Sequence, residues 1–190
     1  MTATSRNSTR GAPGGGTVSK RHVLLVGLPG SGKTTVGRLV AAMLGAPFVD
    51  LDAEVQRRAG KTIGRIFQED GEPAFRSLEA VCGRDILGGI AAIVAAGGGF
   101  FEDAANRLTA RASGIAIYLR VEPGAAAARL GDRASRPLLE GAEPAVRLAE
   151  LLLKRKAGYL AVDHVVETDG VTAQQVARDV VSLARGHAGW

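Results

Sequence analysis

Residues 22–34 read HVLLVGLPGSGKT, a short apolar run followed by a glycine-rich turn that ends in Lys33 and Thr34. From Gly27 onward the turn matches the pattern G-x-x-x-x-G-K-[ST] in full. In this pattern the glycines let backbone N–H groups converge on phosphate oxygens, the lysine reaches the outer phosphates, and the hydroxyl can ligate magnesium. The stretch therefore predicts a nucleoside triphosphate site between a buried strand and a helix. It does not by itself distinguish a kinase from a GTPase, a motor ATPase or a nucleotide-gated regulator.

Apolar runs alternate with segments of helical periodicity from Arg21 onward. Strands are predicted at 22–26, 47–51, 91–96, 115–121 and 164–168, and helices at 34–44, 53–59, 62–69, 72–87, 103–112, 122–130, 144–156 and 172–185. This alternation is typical of a parallel sheet covered by helices on both faces, which binds ligands beyond the carboxyl ends of its strands. We therefore expect one three-layer α/β domain at 21–186 with a five-stranded parallel sheet.

The two ends of the chain are expected to lie outside this domain. Residues 1–20 are rich in Ser, Thr, Gly and Arg and nearly free of apolar side chains, so we expect them to be disordered. Their acid-free composition also resembles an organelle transit peptide, although Pro13 and the glycines at 14–16 disfavour an amphipathic helix. Residues 187–190 are expected to form a short C-terminal tail.

The composition limits which binding partners and which cellular location are expected for the protein. Of the net charge of +5, the first 20 residues supply +3, so the rest carries too little excess to argue for a nucleic-acid surface. The sequence contains no run of 18 apolar residues, so it does not predict a membrane-spanning helix. Cys82 is the only cysteine and is expected to be a small core residue, which suits a reducing cytoplasm. We expect a cytoplasmic monomer.

Two acids, Asp50 and Asp52, stand at the end of the second predicted strand. Side chains alternate along a strand, so residues two apart face the same way. One acid could orient a metal and its waters, and the other could accept a proton from a substrate hydroxyl. The alternative is that one or both of these acids merely cap the next helix.

Basic residues and glycines fall at the other predicted strand ends. Arg76 and Glu79 are three apart on a helix, so they can pair and present the guanidinium to a carboxylate. The alternative is an ordinary ion pair on a solvated surface. The glycines at 97–99 allow close approach to a ligand, or form a flexible loop. The segment 129–142 carries Arg129, Arg133 and Arg136 and is either a mobile lid that brings charge to the phosphates or a solvated loop. Arg155, near a predicted helix end, would by itself face solvent.

These groups together resemble the shikimate kinases. That family combines a phosphate loop with an Asp-x-Asp strand end, a Gly-Glu-x-x-Phe-Arg-x-x-Glu helix, a triple glycine, an Arg-Pro-Leu-Leu lid, and an arginine followed four residues later by tyrosine. The matching segments in this chain are 27–34, 50–52, 71–79, 97–99, 136–139 and 155–159, in the same order and at similar spacing. The phosphate loop is generic to many nucleotide enzymes, whereas the set of Phe-Arg-x-x-Glu, triple glycine and Arg-Pro-Leu-Leu is far more specific. The fold implied is the P-loop kinase type with a closing lid.

The resemblance also implies roles at the matched positions. For the acceptor, Asp52 would hold ring hydroxyls and take the proton, Arg76 and Arg155 would bind the carboxylate with the backbone of Gly97, Gly98 and Gly99, and Phe67 and Phe75 would pack beside the ring. The nucleotide residues would be Gly30, Ser31, Gly32, Lys33, Thr34, Thr35, Arg129 and Arg136. Lys33, Asp52 and Arg136 would be catalytic, and Thr34 and Asp50 would place Mg²⁺. The implied activity is transfer of phosphate from ATP to the 3-hydroxyl of shikimate.

The chain departs from the family at two points. Pro29 is unusual in the phosphate loop, at a position that tolerates variation. Gly158 stands where the family usually has proline between the arginine and the tyrosine, so the direction of Arg155 is open, although glycine could also break the helix there. Two alternatives remain: a kinase of another polar metabolite such as gluconate, and a non-catalytic kinase-like sensor.

Overall fold

The computed structural model describes residues 19–130 and 143–190. Residues 1–18 and the segment 131–142, which contains Arg133 and Arg136, lie outside the described residues, so the predictions for the N-terminal tail and the lid arginines fall there. The strands are β1 His22–Val26, β2 Phe48–Asp50, β3 Ile93–Ala95, β4 Gly114–Arg120 and β5 His164–Glu167. The helices are α1 Lys33–Leu44, α2 Leu51–Ala59, α3 Ile63–Glu69, α4 Gly71–Leu87, α5 Ala104–Ser113, α6 Pro123–Leu130, α7 Pro144–Leu160 and α8 Ala173–His187, with one 3-10 turn at Phe100–Glu102.

The five strands form one parallel sheet in the order β2-β3-β1-β4-β5. The most apolar run of the sequence, β1, lies at the centre, and all five of its residues are buried. Strands buried on both faces are expected to read as continuous apolar runs because helices cover each face. The prediction of a five-stranded parallel sheet is confirmed.

Two hydrophobic clusters make the three layers. Alternate residues of β1 point to opposite faces: Val23 and Leu25 belong to one cluster, and Leu24 and Val26 to the other. The first cluster contains the buried residues of α1 and α8, and the second contains those of α2 to α7. Cys82 on α4 is fully buried in the second cluster, and burial raises the pKa of its thiol, which confirms its assignment to the core.

Several element ends differ from those predicted. The second strand ends at Asp50 instead of residue 51, because the Asp50 side chain accepts a hydrogen bond from the Ala53 N–H and caps α2. The seventh helix runs to Leu160, four residues beyond its predicted end. No helix in the described ranges is both long and apolar enough to cross a bilayer.

The carboxyl ends of the strands open into one cleft of about 1040 Å³. The glycine-rich turn follows β1, Asp50 ends β2, and the triple glycine follows β3 within two residues. Thr168, directly after β5, completes the row. Because parallel strands place their carboxyl ends at the same sheet edge, residues far apart in sequence meet in this cleft.

Candidate active site

The glycine-rich turn uses backbone conformations that side chains disfavour. Gly27, Gly30 and Gly32 have φ angles of 148°, 84° and 91°. The Lys33 ammonium group donates hydrogen bonds across the turn to the carbonyl oxygens of Gly27 at 2.8 Å and Leu28 at 2.9 Å. The turn leads directly into α1, which begins at Lys33. The positive N-terminal end of that helix faces the cleft.

The residues predicted to contact nucleotide on this turn are brought together. Ser31 is buried, and among the described residues its hydroxyl oxygen has no hydrogen-bond partner. The set that lines the cleft is Gly30, Ser31, Gly32, Lys33, Thr34 and Thr35. Backbone amides at a helix start and one lysine are the groups that bind phosphate in such loops.

Thr34 and Asp50 form a pair of oxygen donors beside the phosphate loop. The Thr34 hydroxyl donates to Asp50 Oδ2 at 2.7 Å, while Asp50 Oδ1 accepts from the Ala53 N–H at 3.3 Å. Hydroxyl and carboxylate oxygens are the ligand types that Mg²⁺ prefers in proteins. The donor set thus fits the magnesium site that the sequence predicted.

The geometry predicted for the two acids was wrong, although both reach the cleft. Asp52 does not lie on the strand with Asp50: it occupies the first turn of α2, and Asp50 is the cap of that helix. Both side chains line the cleft because the strand gives way to the helix at its mouth. The cap therefore belongs to Asp50, whereas Asp52 lines the cleft from the first turn of α2.

The predicted Arg76–Glu79 pair forms, and it is not a solvated surface pair. Arg76 Nη1 donates to Glu79 Oε2 at 2.8 Å, and Arg76 Nε and Nη2 donate to Glu72 Oε1 at 3.3 and 3.1 Å. The Glu79 side chain is 2% exposed, and burial raises the pKa of its carboxyl against the opposing effect of Arg76. A guanidinium held by two carboxylates has a defined orientation toward the cleft.

Each residue of the triple glycine lies against a different functional side chain. A Cβ atom at Gly97 would collide with the carboxylates of Glu79 and Asp52. A Cβ at Gly98 would lie 2.7 Å from Arg155 Nη1, and one at Gly99 would collide with the Arg76 guanidinium.

Glycine is favoured here by the close approach of these side chains and not by backbone conformation, since none of the three has a positive φ. Gly98 and Gly99 line the cleft, and Gly97 is buried without lining it. The acids and the arginines therefore surround one short backbone segment.

Arg155 differs from the expectation of a solvent-facing charge near a helix end. It is 3% exposed, lines the cleft, and donates from Nε to Glu102 Oε1 at 2.9 Å. The helix α7 continues past Arg155 to Leu160, so Gly158 does not break the helix. A Cβ atom at Gly158 would lie 2.5 Å from the Phe101 carbonyl oxygen. The small residue lets α7 approach the 3-10 turn, and this packing directs Arg155 inward.

Tyr159 follows on the same helix and holds the triple glycine through a hydrogen bond. Its hydroxyl donates to the Gly98 carbonyl oxygen at 2.9 Å, and its ring stacks on Tyr118 with 4.8 Å between centroids. Burial raises the pKa of the Tyr159 hydroxyl, which keeps it a donor. The Arg-x-x-x-Tyr spacing thus brings both Arg155 and Tyr159 against Gly98.

The remaining predicted residues fall on the cleft walls. Arg129 donates to the Thr168 hydroxyl at 2.9 Å and to Asp169 at 3.3 Å, which holds it at the end of β5, where it lines the cleft. Phe67 and Phe75 pack together with 4.9 Å between ring centroids, and both line the cleft. Arg136 lies outside the described residues.

Sequence reasoning missed two residues that hold predicted ones. Thr168 anchors Arg129. The only feature of the sequence that could have indicated this residue is a hydroxyl side chain at a predicted strand end. Glu102 anchors Arg155 across 53 positions of sequence. Nothing in the local pattern after the triple glycine indicated that partner, because the contact exists only once α7 packs on the 3-10 turn.

Comparisons with known proteins agree on one family. A family model for shikimate kinase matches residues 29–185. The chain is 41% identical over 175 residues to a shikimate kinase of Chlorobaculum tepidum, covering 85% of this chain and 92% of the relative. It is also 41% identical over 167 residues to a shikimate kinase of Thermobifida fusca, covering 85% and 96%.

Solved structures show the same likeness. A shikimate kinase from Acinetobacter baumannii in complex with shikimate superposes with a TM-score of 0.84 at 34% identity, covering 89% of this chain and 95% of that one. A gluconokinase from Sinorhizobium meliloti superposes with a TM-score of 0.58 at 16% identity, covering 89% and 94%. The second likeness is one of fold alone, so these comparisons do not support the gluconate alternative.

Proposed function

The chain belongs to the shikimate kinase family, and we propose that it transfers the γ-phosphoryl group of ATP to the 3-hydroxyl of shikimate, giving shikimate 3-phosphate and ADP. The proposal joins two halves of one cleft. The phosphate loop after β1 accounts for the nucleotide, and the residues around the triple glycine account for the acceptor. The assignments of individual residues below are part of the proposal.

One observation carries the proposal: two arginines and an acid surround the triple glycine beside the phosphate loop. Arg155 lies against Gly98, Arg76 against Gly99, and Asp52 near Gly97. Shikimate bears one carboxylate and three hydroxyls. Guanidinium groups bind a carboxylate in bidentate fashion, and a carboxylate accepts hydrogen bonds from hydroxyls, so the cleft offers both kinds of partner.

The aromatic wall suits the ring of the same acceptor. Phe67 and Phe75 line the cleft together with Ile63, so the hydrocarbon face of a six-membered ring would contact apolar side chains. Such contacts orient a polyol whose hydroxyls are satisfied at its edge. We assign the ring to this wall and the carboxylate to Arg76 and Arg155.

Residues 30–35 are assigned to the phosphates of ATP. The Lys33 ammonium group lies across the loop and can turn to the outer phosphates when nucleotide enters. Arg129, held by Thr168, is assigned to the adenine side of the cleft. Arg136, outside the described residues, is assigned from the family resemblance to the transferring phosphoryl group.

Mg²⁺ would be held by Thr34 directly and by Asp50 through water. Their hydrogen bond of 2.7 Å brings two hard oxygen donors together beside the phosphate loop. When bound, the ion neutralises charge on the phosphates. The fit of the donor set supports this assignment.

The reaction exchanges one phosphorus–oxygen bond for another and transfers one proton. The 3-hydroxyl oxygen attacks the γ-phosphorus, its proton passes to the Asp52 carboxylate, and the bond from phosphorus to the β,γ-bridging oxygen breaks with ADP as the leaving group. The transition state of such transfers is loose, so positioning and positive charge contribute more than a strong base. Lys33 supplies that charge at the leaving oxygens, and the arginine pair holds the acceptor in line.

We also propose that the enzyme acts in the cytoplasm as a monomer with no nucleic-acid partner. The low charge of the domain outside residues 1–20 and the single buried cysteine support this assignment. Gel filtration of the purified chain tests the monomer: a single peak near 20 kDa is expected, and elution at twice that mass contradicts it.

The test of function is ADP release in the presence of magnesium and ATP, with shikimate, quinate, gluconate or no acceptor. We expect strong stimulation by shikimate alone. Equal stimulation by gluconate would favour a broader metabolite kinase. Bound ATP with no stimulation by any acceptor would favour the sensor.

A further inference from the structure

The inference concerns Glu102 and rests on the proposed function. We propose that Glu102 is a positioning residue for acceptor binding: it holds the buried Arg155 guanidinium so that its Nη edge faces the acceptor carboxylate. Glu102 itself does not line the cleft among the described residues, so it acts through Arg155 and not by touching substrate.

The buried guanidinium of Arg155 needs a partner. Arg155 is 3% exposed, and a charge removed from water is costly unless it is paired and hydrogen-bonded. The Glu102 carboxylate supplies that pair, with 2.9 Å between Arg155 Nε and Glu102 Oε1. The Glu102 side chain is 26% exposed, so its own burial is only partial.

The Arg155–Glu102 pair uses one particular part of the guanidinium. Glu102 accepts from the Nε–H, so this pair uses neither Nη atom. Nη1 points at Gly98, where a Cβ atom would lie only 2.7 Å away. A bond at Nε therefore restricts rotation of the guanidinium plane without using the Nη edge, which is the edge that would bind a carboxylate.

The backbone of Glu102 is itself held by hydrogen bonds. Its N–H donates to the Gly99 carbonyl oxygen at 2.9 Å, and its carbonyl oxygen accepts from Arg107 Nη1 at 2.9 Å. The next residue, Asp103, caps α5 by accepting from the Asn106 N–H at 2.9 Å. A carboxylate on such a turn occupies one place, which is the condition for orienting another side chain.

Glu102 has two effects on Arg155 that oppose each other. Its negative charge weakens the attraction of Arg155 for an anionic acceptor, whereas its hydrogen bond restricts the guanidinium to the useful orientation. Arg76 has the same kind of support from Glu79 and Glu72. Two arginines, each backed by carboxylate, form a clamp whose directionality outweighs the loss of charge.

The experiment compares Glu102→Ala, Glu102→Gln and the control Glu150→Ala by steady-state kinetics. Glu150 is an exposed residue of α7 that pairs with Arg147 at 2.6 Å and is not among the residues that line the cleft. In Glu102→Ala we expect KM for shikimate to rise about tenfold, with kcat and KM for ATP within about twofold of wild type. Glu102→Gln keeps an acceptor oxygen and is expected to stay within about threefold of the wild-type KM.

The outcomes separate this inference from the function beneath it. Wild-type enzyme that shows no turnover with shikimate removes the proposed function. Active wild type with an unchanged or lower KM for shikimate in Glu102→Ala overturns the positioning role and makes Glu102 only an opposing charge. If Glu102→Ala does not fold, Glu102→Lys and Glu102→Gln are compared: equal KM values for shikimate in these two folded variants also overturn it.

Discussion

A methyl group at position 99 would occupy space that the Arg76 guanidinium fills. The Gly99 backbone has φ −99° and ψ −7°, a conformation that alanine adopts without strain. An added Cβ would lie 2.7 Å from both Cζ and Nη2 of Arg76, so one of the two groups has to move. The guanidinium is the end of a flexible side chain, and it moves more easily than the backbone.

The size of the effect follows from what Arg76 then loses. Displacement breaks its 2.8 Å contact with Glu79 and turns it from the acceptor carboxylate. A hydrogen bond to a charged group contributes about 1.5–3 kcal/mol, which corresponds to about a 10- to 150-fold change in affinity. We expect Gly99→Ala to raise KM for shikimate by about that factor while KM for ATP stays within about twofold.

The assay is steady-state ADP release with each substrate varied in turn, together with thermal unfolding. Gly124→Ala is the matched control, because a Cβ there has no neighbour within 4 Å. A wild-type KM for shikimate in folded Gly99→Ala would refute the reasoning, since it would mean that Arg76 does not bind the acceptor. An equal rise in KM for ATP would show a general distortion of the cleft instead.

Three further predictions test other parts of the account. Asp52→Asn is expected to lower kcat by about a hundredfold or more while the fold is kept, as measured by turnover and circular dichroism; near-normal turnover would remove Asp52 from proton transfer. Tyr159→Phe removes the bond to the Gly98 carbonyl and should lower stability by about 1 kcal/mol, a fall in melting temperature of about 2–4 °C; an unchanged melting temperature contradicts it. Burial lowers the pKa of His22 from 6.5, so the unfolded chain binds that proton more tightly and stability falls as pH drops below 6.5. His22→Asn, which keeps an acceptor for the Ala92 N–H, should show a smaller fall in urea midpoint over that range, and an equal fall would place the dependence elsewhere.

Local patterns were enough to predict the sheet and the phosphate loop. The β1 run and the glycine-rich turn are read within 13 consecutive residues, and the physics that dictates them is local. The pairing of Arg76 with Glu79 also follows from helical spacing alone. These features need no knowledge of which elements pack together.

Features that depend on packing between distant elements were predicted less well. The directions of Asp52 and Arg155 depend on where a strand gives way to a helix and on how closely α7 approaches the 3-10 turn. Gly158 shows the difference: as a single residue it suggests a helix break, but in the fold it is a close contact inside a continuous helix. The partner Glu102 was missed for the same reason.

The identity of the phosphorylated product tests the central claim most directly. The full chain would be incubated with magnesium, ATP and shikimate, and the mixture followed by ³¹P and ¹H NMR. The account predicts one new phosphomonoester whose phosphorus couples to the proton on C3, formed in equal amount to ADP. Release of inorganic phosphate alone, or a phosphoester at a different hydroxyl, would contradict the arrangement of Asp52 and the arginine clamp proposed above.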